Sequence, residues 1–374
     1  MDLAFTAHEQ AFRDECASWF AANPPGRLDS MDTPEGFEQH RVWERRLHDA
    51  GWSAVNWPRA FGGRDATLIE WLIFEEEYYR ARAPRRLNQN GLFLLAPTLL
   101  EFGTEEQKQR YLPKIASCDE IWCQGWSEPD AGSDLASLTS RATRDGNEWV
   151  LRGQKTWASR GVYADWMFGL FRSDPESVRH RGLSYILVPL DAPGVTVRPI
   201  AQIDGEPGFA EVFLDDVRVP VANTLGPEGD GWKIAMSTAG FERGVVLRSP
   251  GRYAATAERL IELFKERGSP AALQDDVARA WMNADAYRLA TFWAVSKLMQ
   301  GGTIGAEASL NKLWWSEMDL HMHETAMRLL GEDATLDGPW LDGFVFSLAG
   351  PIYAGTNEIQ RNIVAERVLG LPRS

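Results

Sequence analysis

Glu148-Trp-Val-Leu-Arg152, Trp166-Met-Phe-Gly-Leu-Phe171, Ser184-Tyr-Ile-Leu-Val188, Val195-Thr-Val197 and Ala210-Glu-Val-Phe-Leu214 are short runs rich in β-branched and aromatic residues. Asp145-Gly146, Pro193-Gly194 and Asp204-Gly205 punctuate them. Runs of this length and punctuation predict a small antiparallel sheet or barrel. On both sides the hydrophobic period changes. Upstream, Phe5, Phe12, Cys16 and Trp19-Phe20 recur at helical spacing until Asn23-Pro-Pro-Gly26 stops the run. Further helical runs cover residues 35–50, with Gly51 at the expected cap, and 68–81 and 96–102. Thr104-Glu-Glu-Gln107 opens another with a capping-box start. Downstream, helical segments are expected over 232–264, 274–300, 306–330 and 357–369. The order is α, then β, then α, without the alternating βα units that a doubly wound parallel sheet requires. The expectation is an α+β protein: a helical domain over residues 1–118, a central β domain over 119–225 and a helical bundle over 226–374.

Composition narrows the function classes. The 374 residues are 44% hydrophobic and 25% charged, an ordinary globular balance. Lys+Arg 39 against Asp+Glu 53 gives a net charge of −14, which disfavours nucleic-acid phosphate or an anionic membrane as partner. The longest apolar run, 92–100, is interrupted by Pro97 and falls short of the roughly 20 residues a membrane span needs. No secretory pattern opens the chain, and Cys16, Cys118 and Cys123 form no CxxC pair. These features predict a cytoplasmic protein without disulfides or a zinc site.

Motifs for nucleotide-phosphate loops, metalloprotease helices and serine-hydrolase elbows are missing from the sequence. His321 and His323, two apart on an expected helix, point to different sides, so no shared metal is expected. The informative stretch is Trp122-Cys-Gln-Gly-Trp-Ser-Glu-Pro-Asp-Ala-Gly-Ser-Asp134, where Gly125 and Gly132 permit close backbone approach and Ser127 and Ser133 add hydroxyls. Such a surface suits a flat heteroaromatic or a phosphate oxygen. In Gly153-Gln-Lys-Thr-Trp-Ala-Ser-Arg-Gly161, period 2 places Lys155, Trp157 and Ser159 on one side of a strand. Glu242 and Arg243 interrupt an apolar helix and must either face solvent or line a cavity. Ile352-Tyr-Ala-Gly-Thr-Asn-Glu-Ile-Gln-Arg361 launches a helix whose N-terminus is a natural seat for an anionic group.

In this order the elements resemble an acyl-CoA dehydrogenase, nearly end to end. Ser127-Glu-Pro-Asp-Ala-Gly-Ser-Asp134 and Tyr353-Ala-Gly-Thr-Asn-Glu-Ile-Gln360 are the two specific signatures, joined by 102–113 and 365–370. The resemblance implies a helical domain, a central antiparallel β-barrel and a C-terminal four-helix bundle, with FAD between barrel and bundle. It implies that the Trp126 backbone and Ser127 contact the pyrimidine end of the flavin. Trp157 would pack beside the isoalloxazine, Ser159 would bond near N5, Ser133 would hold the pyrophosphate, and Thr356 and Glu358 would lie near the dinucleotide. The implied reaction removes the α-proton of an acyl-CoA to a carboxylate while the β-hydride passes to flavin N5. The product is a 2-enoyl-CoA, and electrons go on to electron-transferring flavoprotein. The enolate oxygen that develops needs preorganised donors, which the resemblance assigns to a ribityl hydroxyl of FAD and the backbone N–H of Ala354.

Many members carry the base at the position of Ala354. The isovaleryl and long-chain types instead carry it at the position of Glu242, so the resemblance makes Glu242 the base here and Arg243 a contact to the CoA portion. Exclusion of water beside the flavin is expected to raise the pKa of such a base. Two segments that reach a neighbouring subunit's FAD in the family depart from pattern: residues 266–274 keep Arg267 but lose the aromatic, and a Gly-rich segment reads Gly331-Glu-Asp-Ala334. This resembles the steroid side-chain branch, in which related subunits form α2β2 tetramers. A homo-oligomer is the simpler expectation, and a heterotetramer with a related subunit the alternative. A flavin-sharing subunit of low activity and a flavin oxidase or monooxygenase are the other readings.

Overall fold

The computed structural model describes residues 4–243 and 249–372, and the side chains of all of these except 242 and 243. In chain order the helices of the first third are α1 (Ala7–Ala22), α2 (Pro34–Asp49), α3 (Leu68–Arg80), α4 (Ala96–Phe102) and α5 (Glu105–Ala116). The strands are β1 (Trp122–Gly125), β2 (Arg141–Asp145), β3 (Glu148–Ser159), β4 (Trp166–Arg172), β5 (Leu183–Pro189), β6 (Val195–Ile200), β7 (Phe209–Pro220) and β8 (Thr224–Leu225). Then follow α6 (Gly231–Arg243), α7 (Pro250–Glu266), α8 (Gln274–Met299), α9 (Ala308–Leu330), α10 (Pro339–Leu348) and α11 (Asn357–Ile363). The α, β, α order read from the sequence is the order of the fold.

Local chemistry explains the helix starts. Thr6, Thr67 and Thr104 each accept a hydrogen bond from the third residue of their helix, whose Glu9, Glu70 or Gln107 side chain bonds back to the threonine N–H. The long run expected over 232–264 is two helices, α6 and α7. Ser249 caps α7, and Pro250 fills its first position, where a missing N–H costs nothing.

The residues group into two compact units. The helical unit comprises Met1–Arg27, Ala66–Pro84 and Arg243–Ser374. Its core joins Tyr253, Leu260, Tyr287, Trp315, Met318 and Met322, and Phe20 packs on Phe74 and Tyr78 at 5.9 and 5.7 Å between ring centroids. The sheet unit comprises Leu28–Asp65 and Arg85–Glu242. Its strands run in the order β6-β7-β3-β2-β4-β5-β8, with β1 added parallel to β4. The expected central β domain is present, but barrel describes it only loosely: among the described residues β6 and β8, each paired on one side, end an open sheet, and β2–β4 is a second parallel pair. Trp149, Leu151, Met167, Ile186, Val212 and Val217 fill the core beneath it.

Candidate functional site

In the sheet unit, the residues singled out from the sequence lie on the loop after β1 and at the end of β3. The β3–β7 register gains one residue on β3 between Lys155, opposite Val212, and Ala158, opposite Ala210. The extra residue sits at a left-handed turn at Trp157, φ +60°. A bulge of this kind kinks the strand and re-aims a side chain. Lys155, Thr156 and Ala158 are buried, whereas Trp157 is 57% exposed, its ring edge-on to Phe209 at 5.9 Å. The period-2 reading that placed Lys155 on one side with Trp157 and Ser159 is therefore wrong, because the bulge breaks the alternation. Ser159 is half-buried at the strand end.

Strand β1 leads into the loop. Gly125 is packed rather than open: a Cβ there would lie 2.1 Å from Met167 Sδ on the adjoining strand. Its smallness serves the β1–β4 pairing, which corrects its reading as a point of ligand approach; Gly132 does border open space. Trp126 is buried against Phe168 and Tyr185, and among the described residues its indole N–H has no partner. Ser127 is half-buried and its carbonyl accepts the Thr156 N–H at 2.9 Å, while Ser133 is exposed.

Sequence reasoning assigned no role to Glu128, yet its carboxylate organises this loop. It accepts the Lys155 ammonium at 2.8 Å, the Ser140 N–H at 2.9 Å and the Thr139 N–H at 2.7 Å. Burial alone raises the Glu128 carboxyl, but Lys155 and the Ser140 and Thr139 donors overcome it and hold it at about 2. Burial lowers the Lys155 ammonium to about 8 against the opposing pull of Glu128. Burial of the Lys155 ammonium, which requires a charged partner, is what marks Glu128.

In the helical unit, Ala354 has φ +59° and Gly355 φ +78°, a left-handed pair that ends at Thr356. Among the described residues the Ala354 N–H has no acceptor. Thr356 caps α11 by accepting the Ile359 N–H at 3.3 Å, and Glu358 is exposed one residue into the helix. The turn is braced from α9, where the fully buried Lys312 donates to Asn357 Oδ1 at 2.6 Å. Arg267, the C-cap of α7, forms an ion pair with Asp333 at 2.7 Å. His323 donates from Nδ1 to the Asp319 carbonyl at 2.8 Å. A cavity of about 920 Å³ between α8 and α9, lined by Trp293, Trp314 and Lys297 among others, contains none of the expected site residues. Glu242 and Arg243 are the last described residues of α6; their side chains lie outside the described residues.

The geometry offers an exposed indole face with half-buried hydroxyls near it in sequence, and, on the other unit, an unengaged N–H at a helix start. Known proteins are similar to this chain over nearly its whole length. The acyl-CoA dehydrogenase N-terminal domain matches residues 6–119, the middle domain 123–217 and the C-terminal domain 229–369. Acyl-CoA dehydrogenase IpdE1 of Mycobacterium tuberculosis is 42% identical over 97% of this chain and 98% of its own length. The solved Tcur3481-Tcur3483 steroid ACAD is 31% identical with a TM-score of 0.88, covering 100% of both chains. The ChsE4-ChsE5 complex from Mycobacterium tuberculosis is 32% identical with a TM-score of 0.85, also over 100% of both chains.

Proposed function

The chain belongs to the acyl-CoA dehydrogenase family of FAD-dependent oxidoreductases, and we propose that it dehydrogenates its acyl-CoA at the α and β carbons with Glu242 as base. When bound, FAD supplies the acceptor for the β-hydride. The residues present fit this cofactor: the bulge presents the Trp157 indole as a flat face, and a buried indole N–H at Trp126 awaits a partner. In this reading Trp157 packs beside the flavin ring and the Ser159 hydroxyl donates at its edge. The Trp126 backbone and Ser127 bond to the pyrimidine end. Ser133, Thr356 and Glu358 serve the dinucleotide, with Arg267 the remnant of a contact to a neighbouring subunit's cofactor.

The α-proton of a thioester is very weakly acidic, so the carbonyl oxygen must be met by donors fixed in advance. Ala354 is suited to this by its backbone alone, because the left-handed turn directs an N–H that no other described residue uses. Glu242 takes the α-proton, and Arg243 binds the CoA portion. We place the protein in the cytoplasm, a compartment that keeps buried thiols such as Cys118 and Cys123 reduced, and take electron-transferring flavoprotein as its acceptor.

The observation that carries the reading is the exposed, left-handed Trp157 set between buried neighbours. Anaerobic mixing with a panel of acyl-CoAs, ring-bearing ones included, tests it. At least one thioester should bleach the flavin of the wild type, and Glu242→Gln should keep FAD but lose bleaching. Equal bleaching by the variant overturns Glu242 as base.

One observation favours assembly with a related subunit over a homo-oligomer. Arg267 and Asp333 belong to the two segments that resemble neighbour-contact motifs, and here they neutralise each other. Paired in this way, Arg267 has less charge to offer a neighbour's phosphates. Flavin content after purification alone and with a co-expressed related chain distinguishes the two, and full occupancy alone overturns the heteromer.

A further inference from the structure

The Lys155 ammonium lies inside the sheet unit with no exposed side-chain surface. Its three protons face three acceptors: Leu170 O at 2.7 Å, Glu128 Oε1 at 2.8 Å and, more weakly, Trp126 O at 3.4 Å. The Phe171 ring lies 5.0 Å away. Trp126 and Glu128 flank Ser127, and the Ser127 carbonyl is held by the N–H of Thr156, the residue after Lys155. Two consecutive residues of β3 thus grip three consecutive residues of the loop. Glu128 extends the grip to Thr139 and Ser140, closing the segment that contains Ser133. Two residues further along the same strand stands Trp157, and two beyond it Ser159.

We propose that Lys155 is a positioning residue for FAD: its buried bond to Glu128 fixes the loop of Ser127 and Ser133 in register with the strand end that carries Trp157 and Ser159. This rests on the flavin-binding reading above. The pair has little reason to exist for stability alone, because replacing a buried ion pair by uncharged residues is commonly neutral or stabilising, while removing one partner is costly. What an uncharged pair lacks is the directed hold on three acceptors at once.

The test uses the purified holoprotein with Glu128→Gln and the double variant Lys155→Met/Glu128→Gln, which leaves neither charge stranded. Glu128→Gln keeps the side-chain shape and guards against a double variant that fails to fold. Both should bind FAD about tenfold or more weakly than wild type, a loss of about 1.4 kcal/mol, and the visible band of the bound flavin should change shape. A merely structural pair would change the melting temperature and leave that band alone. Wild-type affinity and an unchanged band in either folded variant overturn the proposal. A wild type that binds no FAD would instead refute the functional reading on which it rests.

Discussion

Arg160 and Asp32 meet with 3.0 Å between Nε and Oδ1, joining the turn that leaves β3 to the loop that precedes α2. It is an ion pair without hydrogen-bond alignment, reinforced by Tyr163, whose hydroxyl donates to the Asp32 carbonyl at 3.0 Å, and by the Arg160 N–H, which donates to Gly208 O at 2.9 Å. Both charged side chains are about nine-tenths buried, at 11% and 12% exposure. Asp32→Asn therefore strands a guanidinium and should destabilise the protein by about 3–5 kcal/mol in urea denaturation. Adding Arg160→Asn should recover most of that loss. An Asp32→Asn protein as stable as wild type would contradict the pairing.

Glu128 should leave a signature in acid. Its carboxyl in the folded protein is held at about 2, below its ordinary value of 4.5. The stability it contributes is present in full above that ordinary value and is lost as the pH falls through about 2, because the unfolded chain binds the proton first. Wild type should lose stability across this window more steeply than Glu128→Gln, as measured by denaturant midpoints at successive pH values. Parallel curves would show that the carboxylate is not held in this way.

Trp157→Ala separates binding from folding. The indole is exposed and its backbone is left-handed, so its removal should change stability by less than about 1 kcal/mol. An aromatic contact to the flavin is worth about 0.5–1.5 kcal/mol, so FAD affinity should fall roughly two- to tenfold. An equilibrium titration showing unchanged affinity would remove Trp157 from the site.

The proposal that Glu242 stands in for a base at the position of Ala354 allows a relocation experiment. Glu242→Gln should lower turnover by about 10²–10⁴-fold, the usual contribution of a general base. Ala354 already holds a left-handed conformation with a Cβ, so glutamate there meets little new backbone strain. Glu242→Gln/Ala354→Glu should regain part of the turnover. A double variant as inactive as the single one would mean that the two positions do not serve one substrate carbon in this chain.

Much of the architecture was legible because it is local. Threonine caps with Glu or Gln three residues on mark α1, α3 and α5 in the sequence as they do in the fold, and short β-rich runs mark the strands. What escaped depends on pairing at a distance. Nothing local to Trp122–Gly125 says that it lies parallel to β4, or that β6 and β8 stay apart. The bulge at Trp157 escaped because alternation is a rule for regular strands, and one left-handed residue shifts every position beyond it. The start of α7 was legible in principle, in the Ser249 cap and Pro250, but apolar residues on both sides of it read as one run. Of the expected site, the sheet-unit motif was readable as chemistry, while the buried charges that hold it, Lys155 with Glu128 and Arg160 with Asp32, become apparent only when the loops are in place.

The membership of α1 and α3 in the helical unit bears on biogenesis. Both leave the ribosome early, yet α3 packs on α7 and α8, which are among the last segments to be synthesised. The α1–α3 pair can form early, but the side of α3 that packs on α7 and α8 must wait in the nascent chain uncovered, a state open to chaperone capture or aggregation. A fragment released at residue 242 would carry that uncovered face and none of its later partners, so the order of synthesis cannot be the order of completion.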